Sequence, residues 1–102
     1  MVNTKGYAMR LTNEEVETLK SSLYRISNDV KIYLFGSRVD DSKRGGDIDI
    51  LILSDKLSRK DIRKIRLDFF ERFGEQKLDI VLDNTKIKKT FTKYIIKKAV
   101  LL

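Results

Sequence analysis

A chain of 102 residues with 41% hydrophobic content can build one core but not two lobes, and the absence of cysteine excludes disulfides and thiol chemistry. It has no apolar run long enough to span a bilayer, and Met1 to Leu11 lacks the apolar segment of a secretion signal, so the expected location is the cytoplasm. The net charge of +7 favours encounter with anions (nucleotides, nucleic acid or an acidic partner protein) without choosing among them.

The chain is expected to be a single domain over 1–102, with 1–10 trailing as an arm because it shows no periodicity. Thr12 followed by Glu15 is a capping-box pattern, and Val16, Leu19, Leu23 and Ile26 recur at helical spacing, which predicts a first helix through Ser27. Asn28-Asp29 interrupts it. Val30 to Phe35 (VKIYLF) is β-branched and aromatic, apolar on both faces towards its end, and so predicts a central strand.

That strand stops at Gly36-Ser37. A glycine lets the backbone come close to a ligand, and if residues 37 to 41 form a helical turn, its free N–H groups suit a phosphate; the same dipeptide can equally be a plain turn. A polar loop follows, in which Arg38, Lys43 and Arg44 either meet phosphates or are solvated. It ends at Gly45-Gly46, and a second strand is predicted from Asp47 to Leu53. Aspartate is disfavoured in strands, yet Asp47 and Asp49 fall on one face while Ile48, Ile50 and Ile52 take the other. Two carboxylates held side by side stay ionised when a cation sits between them. Hard oxygen donors, with no histidine or cysteine in the chain, favour Mg²⁺ or Mn²⁺ over zinc. The alternative is a frayed strand start with both carboxylates facing water.

Ser58 with Asp61 predicts a second capped helix, whose stripe of Ile62, Ile65, Phe69, Phe70 and Phe73 is core, and Gly74 ends it. Arg59, Lys60, Arg63, Lys64 and Arg66 form its basic face, by default solvated. Lys77 to Asp83 (KLDIVLD) predicts a third strand with Asp79 in its interior. A strand-helix-strand connection implies a parallel pair, whereas the shorter link between the first two strands permits an antiparallel return, so the sheet is expected to be mixed. If the third strand lies beside the second, Asp79 joins Asp47 and Asp49, and Asp83 caps the following loop. Asn84 to Leu102 predicts one more helix, with Ile87, Phe91, Tyr94 and Ile95 beneath a lysine-rich face, and an apolar tail from Ala99 that folds back as a short strand or packs on another subunit.

Three converging carboxylates have a use in phosphoryl and nucleotidyl transfer, where a protein mainly positions reactants and neutralises charge. Asp47 and Asp49 would hold the metals that carry a triphosphate; Asp79 would hold the second and accept the proton of the attacking hydroxyl. The stretches YLFGSR, GGDIDILIL and GEQKLDIVL resemble the minimal nucleotidyltransferase (MNT) domains of the DNA polymerase β superfamily. The resemblance implies an α/β fold of order α-β-(short α)-β-α-β-α with a mixed sheet of three or four strands. It also implies Mg²⁺ (or Mn²⁺) with ATP or another nucleoside triphosphate. Gly36 and Ser37 match the phosphate-binding turn, with Arg38 beside it; Asp47 and Asp49 match the metal ligands, and Asp79 the third carboxylate. Two features depart from the family pattern: a loop at the short end of its range, and Gly46 where many relatives place serine.

Members of this size resemble the antitoxin halves of HEPN/MNT toxin–antitoxin pairs, some of which move AMP onto a tyrosine of the toxin. The implied activity is therefore transfer of NMP, AMP in particular, to a hydroxyl of a HEPN-type partner protein. Transfer to RNA or a small molecule, and neutralisation of a partner by binding without catalysis, are the alternatives. Self-association is left open, and membrane association is not expected.

Overall fold

The computed structural model describes residues 11–36, 48–74 and 78–102. The expected arm, the helical turn after Gly36, and the residues Ser37, Arg38 and Asp47 lie outside the described residues.

The first helix, α1, runs Asn13–Tyr24. Its start follows from the capping box: Thr12 Oγ1 accepts from the Glu15 amide at 3.0 Å, and the Glu15 carboxylate accepts from the Thr12 amide at 2.9 Å, so two of the helix's orphan donors are satisfied reciprocally. It stops before Ser27, and Ile26, 38% exposed, does not continue the buried stripe of Leu19 and Leu23. The Ser27 hydroxyl instead donates to the Asp29 carboxylate and accepts from the Asp29 amide, the local competition that makes such residues leave helices.

Strand β1 (Lys31–Phe35) pairs antiparallel with β2 (Ile48–Leu53), and β2 pairs parallel with β3 (Leu78–Asp83) after the crossover helix α2 (Arg59–Phe73). After α3 (Thr90–Ile95) the apolar tail returns as β4 (Val100–Leu101) along the far side of β1. The four-stranded sheet has the order β3-β2-β1-β4, mixed as expected, with β1 and β2 inside it. The Ser58/Asp61 capping box and Gly74 delimit α2 as the sequence predicts, Gly74 taking φ +80° and ψ −175°, a conformation open essentially to glycine alone.

Alternation sorts the side chains. Ile32, Leu34, Ile48, Ile50 and Ile52 pack against Leu19 and Leu23 of α1 and Ile62, Ile65 and Phe69 of α2, which form the main core. On the opposite face Leu51 and Leu53 pack with Ile95 of α3, beside Tyr33, Phe35 and Val81. Among the described residues one face is thus covered by two long helices and the other in part by a short one, and it is this second face that carries the acidic residues of β2 and β3.

The last helix corrects an expectation. Residues 84–89 are not helical: Ile87 has φ +52°, which no α-helix continues through, and its side chain packs beside Leu51, Leu53 and Ile95. Asp83, 6% exposed, accepts the backbone amides of Asn84 at 2.8 Å and Lys89 at 2.9 Å, so a carboxylate from the preceding strand sets where α3 begins. Phe91 and Tyr94, expected on the buried stripe, are 54% and 68% exposed, and Thr92 and Ile95 are buried instead.

At the carboxyl end of β2 a second cluster ties the loops together. Asp29 accepts from Ser27 Oγ at 2.5 Å, Ser54 Oγ at 2.7 Å and the Asp55 amide at 2.9 Å, and Asp55 accepts from the amide and hydroxyl of Thr85. These donors favour the ionised form: the Ser27 hydroxyl foremost, then the Asp55 amide and the Ser54 hydroxyl, lower Asp29 to about 2, and Thr85, through its amide first, lowers Asp55. For Asp83 burial alone would raise the carboxyl, but the amides of Lys89 and Asn84 outweigh it and leave it below its usual value. Folded values below unfolded ones mean stability that is full above the unfolded carboxylate value of about 3.8 and lost as pH falls towards 2. Thermal unfolding followed by circular dichroism from pH 6 to pH 2 should show Tm falling over that window, with Asp29→Asn less stable at pH 6 and falling less steeply; parallel curves would rule out this origin for the acid limb.

Candidate active site

The site begins with register. In the parallel ladder Asp49 lies opposite Asp79, and because both side chains leave the sheet on the face of Leu51 and Val81, two carboxylates project from neighbouring strands about 4.8 Å apart. Both residues are half-buried. Like charges directly opposed destabilise a sheet, and the same two positions in a purely structural protein would carry apolar or complementary partners, as Ile48 and Leu78 or Leu51 and Val81 do in the same ladder.

The bend after β1 closes on this pair. Phe35 is the register partner of Asp49, so the next residue, Gly36, passes directly over the Asp49 side chain. A Cβ on Gly36 would overlap Asp49 Oδ2 and lie 3.2 Å from Cγ, and the backbone has φ +78°. Only glycine meets both requirements at once. The close approach of the first strand's end is therefore to Asp49, whose register partner is Asp79; Ser37, Arg38 and Asp47 lie outside the described residues. Asp83 stands at the other end of β3, occupied with the start of α3, and does not join the site.

Phe35 also meets Phe91 edge to face, ring centroids 6.3 Å apart, so the exposed aromatic of α3 stands on the same side of the sheet as Asp49. Sequence reasoning placed Phe91 in the core, and nothing local distinguishes the two roles: the contact is set by how α3 crosses the sheet.

The donor set fits a divalent cation of the hard, oxygen-preferring kind. Asp49 and Asp79 offer carboxylate oxygens only, from opposed positions on rigid strands. Among the described residues no group of three metal-ligating side chains converges, so a third ligand would come from Asp47 or from a bound phosphate. No described helix is long and apolar enough to cross a membrane.

A search of curated proteins finds no match to this chain. A family model does match, that of the polymerase beta nucleotidyltransferases, over residues 17–102, a span that takes in most of α1, all four strands and both remaining helices. With the opposed aspartates, the glycine bend over one of them and the mixed sheet all inside the matched span, the chain belongs to the polymerase beta nucleotidyltransferase family.

Proposed function

We propose that this nucleotidyltransferase moves AMP from ATP, with Mg²⁺, to a hydroxyl group of a separate protein, and that a HEPN-type toxin neutralised in this way is its partner. The observation that carries the reading is the Asp49–Asp79 register beneath Gly36, in a chain that belongs to the family.

Asp49, with Asp47 ahead of it and Asp79 on the neighbouring strand, would hold the divalent cation that carries the triphosphate, and Gly36, Ser37 and Arg38 would receive the phosphates. When bound, the divalent cation neutralises phosphate charge and keeps the attacking and leaving oxygens in line. Asp79, on the neighbouring strand, takes the proton of the acceptor hydroxyl as its oxygen attacks the α-phosphorus; the bond from that phosphorus to the bridging oxygen breaks and pyrophosphate leaves. The carboxylates do their work by position, since the strands that carry them are fixed by the core on the other face.

Incubation with a HEPN-type protein, Mg²⁺ and ATP labelled at either the α- or the γ-phosphate tests this. Label should pass to the protein from the α-position only. Label passing to RNA instead would change the acceptor class, and tight partner binding with no label from either position would replace catalysis by occupancy.

A further inference from the structure

β3 is the outer strand of the described sheet, and among the described residues no further strand pairs with it. Asp79, Val81 and Asp83 turn their backbone groups towards β2, as the bond from the Ser54 amide to the Asp83 carbonyl shows. By alternation Leu78, Ile80 and Leu82 turn theirs outward. Two of the three outward carbonyls meet cationic side chains: Arg66 Nε donates to the Leu78 carbonyl at 3.2 Å, and Lys89 Nζ to the Leu82 carbonyl at 2.7 Å. Ile80, between them, has an outward N–H and C=O with no partner among the described residues.

This edge is the floor of a groove of about 500 Å³ between β3 and the flank of α2. Arg59, Arg63, Arg66 and Lys89 line it together with the aliphatic side chains of Ile62 and Ile80, and no carboxylate is among the described lining residues. The basic face of α2, expected to be merely solvated, is therefore in part the wall of a cleft, and Arg66 is half-buried there.

We infer that this groove receives an extended, acidic segment of the acceptor protein as an added strand centred on Ile80, which places the acceptor hydroxyl beside Asp79. Main-chain bonding to an open edge supplies affinity, and alternate side chains supply specificity. Four cations without a compensating acid select a negatively charged occupant. A second copy of this chain would bring the same four cations against themselves. Single-stranded nucleic acid would satisfy the charge, but among the described residues no aromatic side chain lines the groove for a base to stack on. An added strand puts every second side chain on the face that carries Asp79, with cross-strand Cβ atoms about 5 Å apart. The docking surface thereby accounts for how this domain selects a hydroxyl, and it rests on the protein-acceptor reading above.

Binding is measured apart from transfer, by fluorescence anisotropy of the full chain with a labelled nine-residue peptide of alternating Val and Glu around a central Tyr. Arg59→Glu/Arg63→Glu should weaken it at least tenfold. N-methylation of alternate peptide amides should weaken it at least tenfold in one register and little in the other, a readout that needs no protein variant to fold. Equal effects of both registers, tighter binding of oligo(U) than of the peptide, or no binding by the wild type would each overturn the assignment. Asp49→Asn should keep peptide affinity. If the peptide binds as described while no acceptor is ever labelled, the docking surface stands and the proposed reaction falls; label transfer that the Arg59→Glu/Arg63→Glu pair leaves intact would have the opposite meaning.

Discussion

Asp49→Asn and Asp79→Asn should each lower nucleotidyl transfer by at least about 10³-fold, equivalent to about 4 kcal/mol of transition-state stabilisation, without unfolding the domain. Amide and carboxylate have the same shape, so neither replacement disturbs the packing of Ile48, Ile50 or Ile80, which face the opposite side of the sheet. What changes is charge. The two groups are opposed in register, and the amide keeps the shape of the carboxylate, so Tm should change little in Mg²⁺-free buffer. That combination, a large fall in activity with little change in stability, separates a cation site from a structural pair, for which both quantities would fall. Label-transfer rates and thermal melts with and without Mg²⁺ measure it, and either variant retaining a tenth of wild-type activity would contradict the role assigned to it.

Gly36→Ala should have the next largest effect, and through geometry rather than charge. The new Cβ would collide with the Asp49 carboxylate, and a non-glycine residue at φ +78° costs about 1–3 kcal/mol. The carboxylate can escape only by rotating away from Asp79 or by displacing the end of β1. A shift of about 1 Å at a reacting centre lowers rates on the order of 10²-fold, so transfer should fall by that factor and Tm should fall with it. Gly74→Ala is the natural comparison. Gly74 has nearly the same φ, +80°, but nothing lies within 4 Å of the Cβ it would gain, so that variant should lose stability alone and keep the specific activity of its folded fraction. Equal activity losses in the two variants would mean that Gly36 acts through backbone strain and not through its contact with Asp49.

The features legible in the sequence are those fixed by short-range periodicity. Thr12 with Glu15 and Ser58 with Asp61 are local boxes that no tertiary contact needs to complete, and both occur as read. The two-residue period of strands puts Asp49 and Asp79 on the face opposite the isoleucines, and the glycine at the end of the first strand marks a bend where the backbone can approach a neighbour closely. The features that were not legible depend on how distant elements meet. α3 starts late because the Asp83 carboxylate takes the Lys89 amide, an interaction across six residues with no motif of its own; Phe91 and Tyr94 are then turned outward although their spacing is that of a core stripe. Arg66 reads as surface charge on a helix wheel, and becomes a wall of the β3 groove only because α2 crosses beside the Leu78 carbonyl. The serine and aspartate cluster around Asp29 joins residues 25 positions apart, beyond the reach of any pattern in the chain.

The central claim is that Asp49 and Asp79 share one cation beneath Gly36. Substoichiometric Mn²⁺ added to uniformly ¹⁵N-labelled protein tests it directly, because paramagnetic broadening falls off steeply with distance. The amide signals of Gly36, Asp49 and Asp79 should broaden first and together, and both Asp49→Asn and Asp79→Asn should abolish the effect. Broadening centred instead on Asp29, Asp55 or Asp83 at the opposite end of the strands, or spread evenly over all the acidic residues, would contradict it.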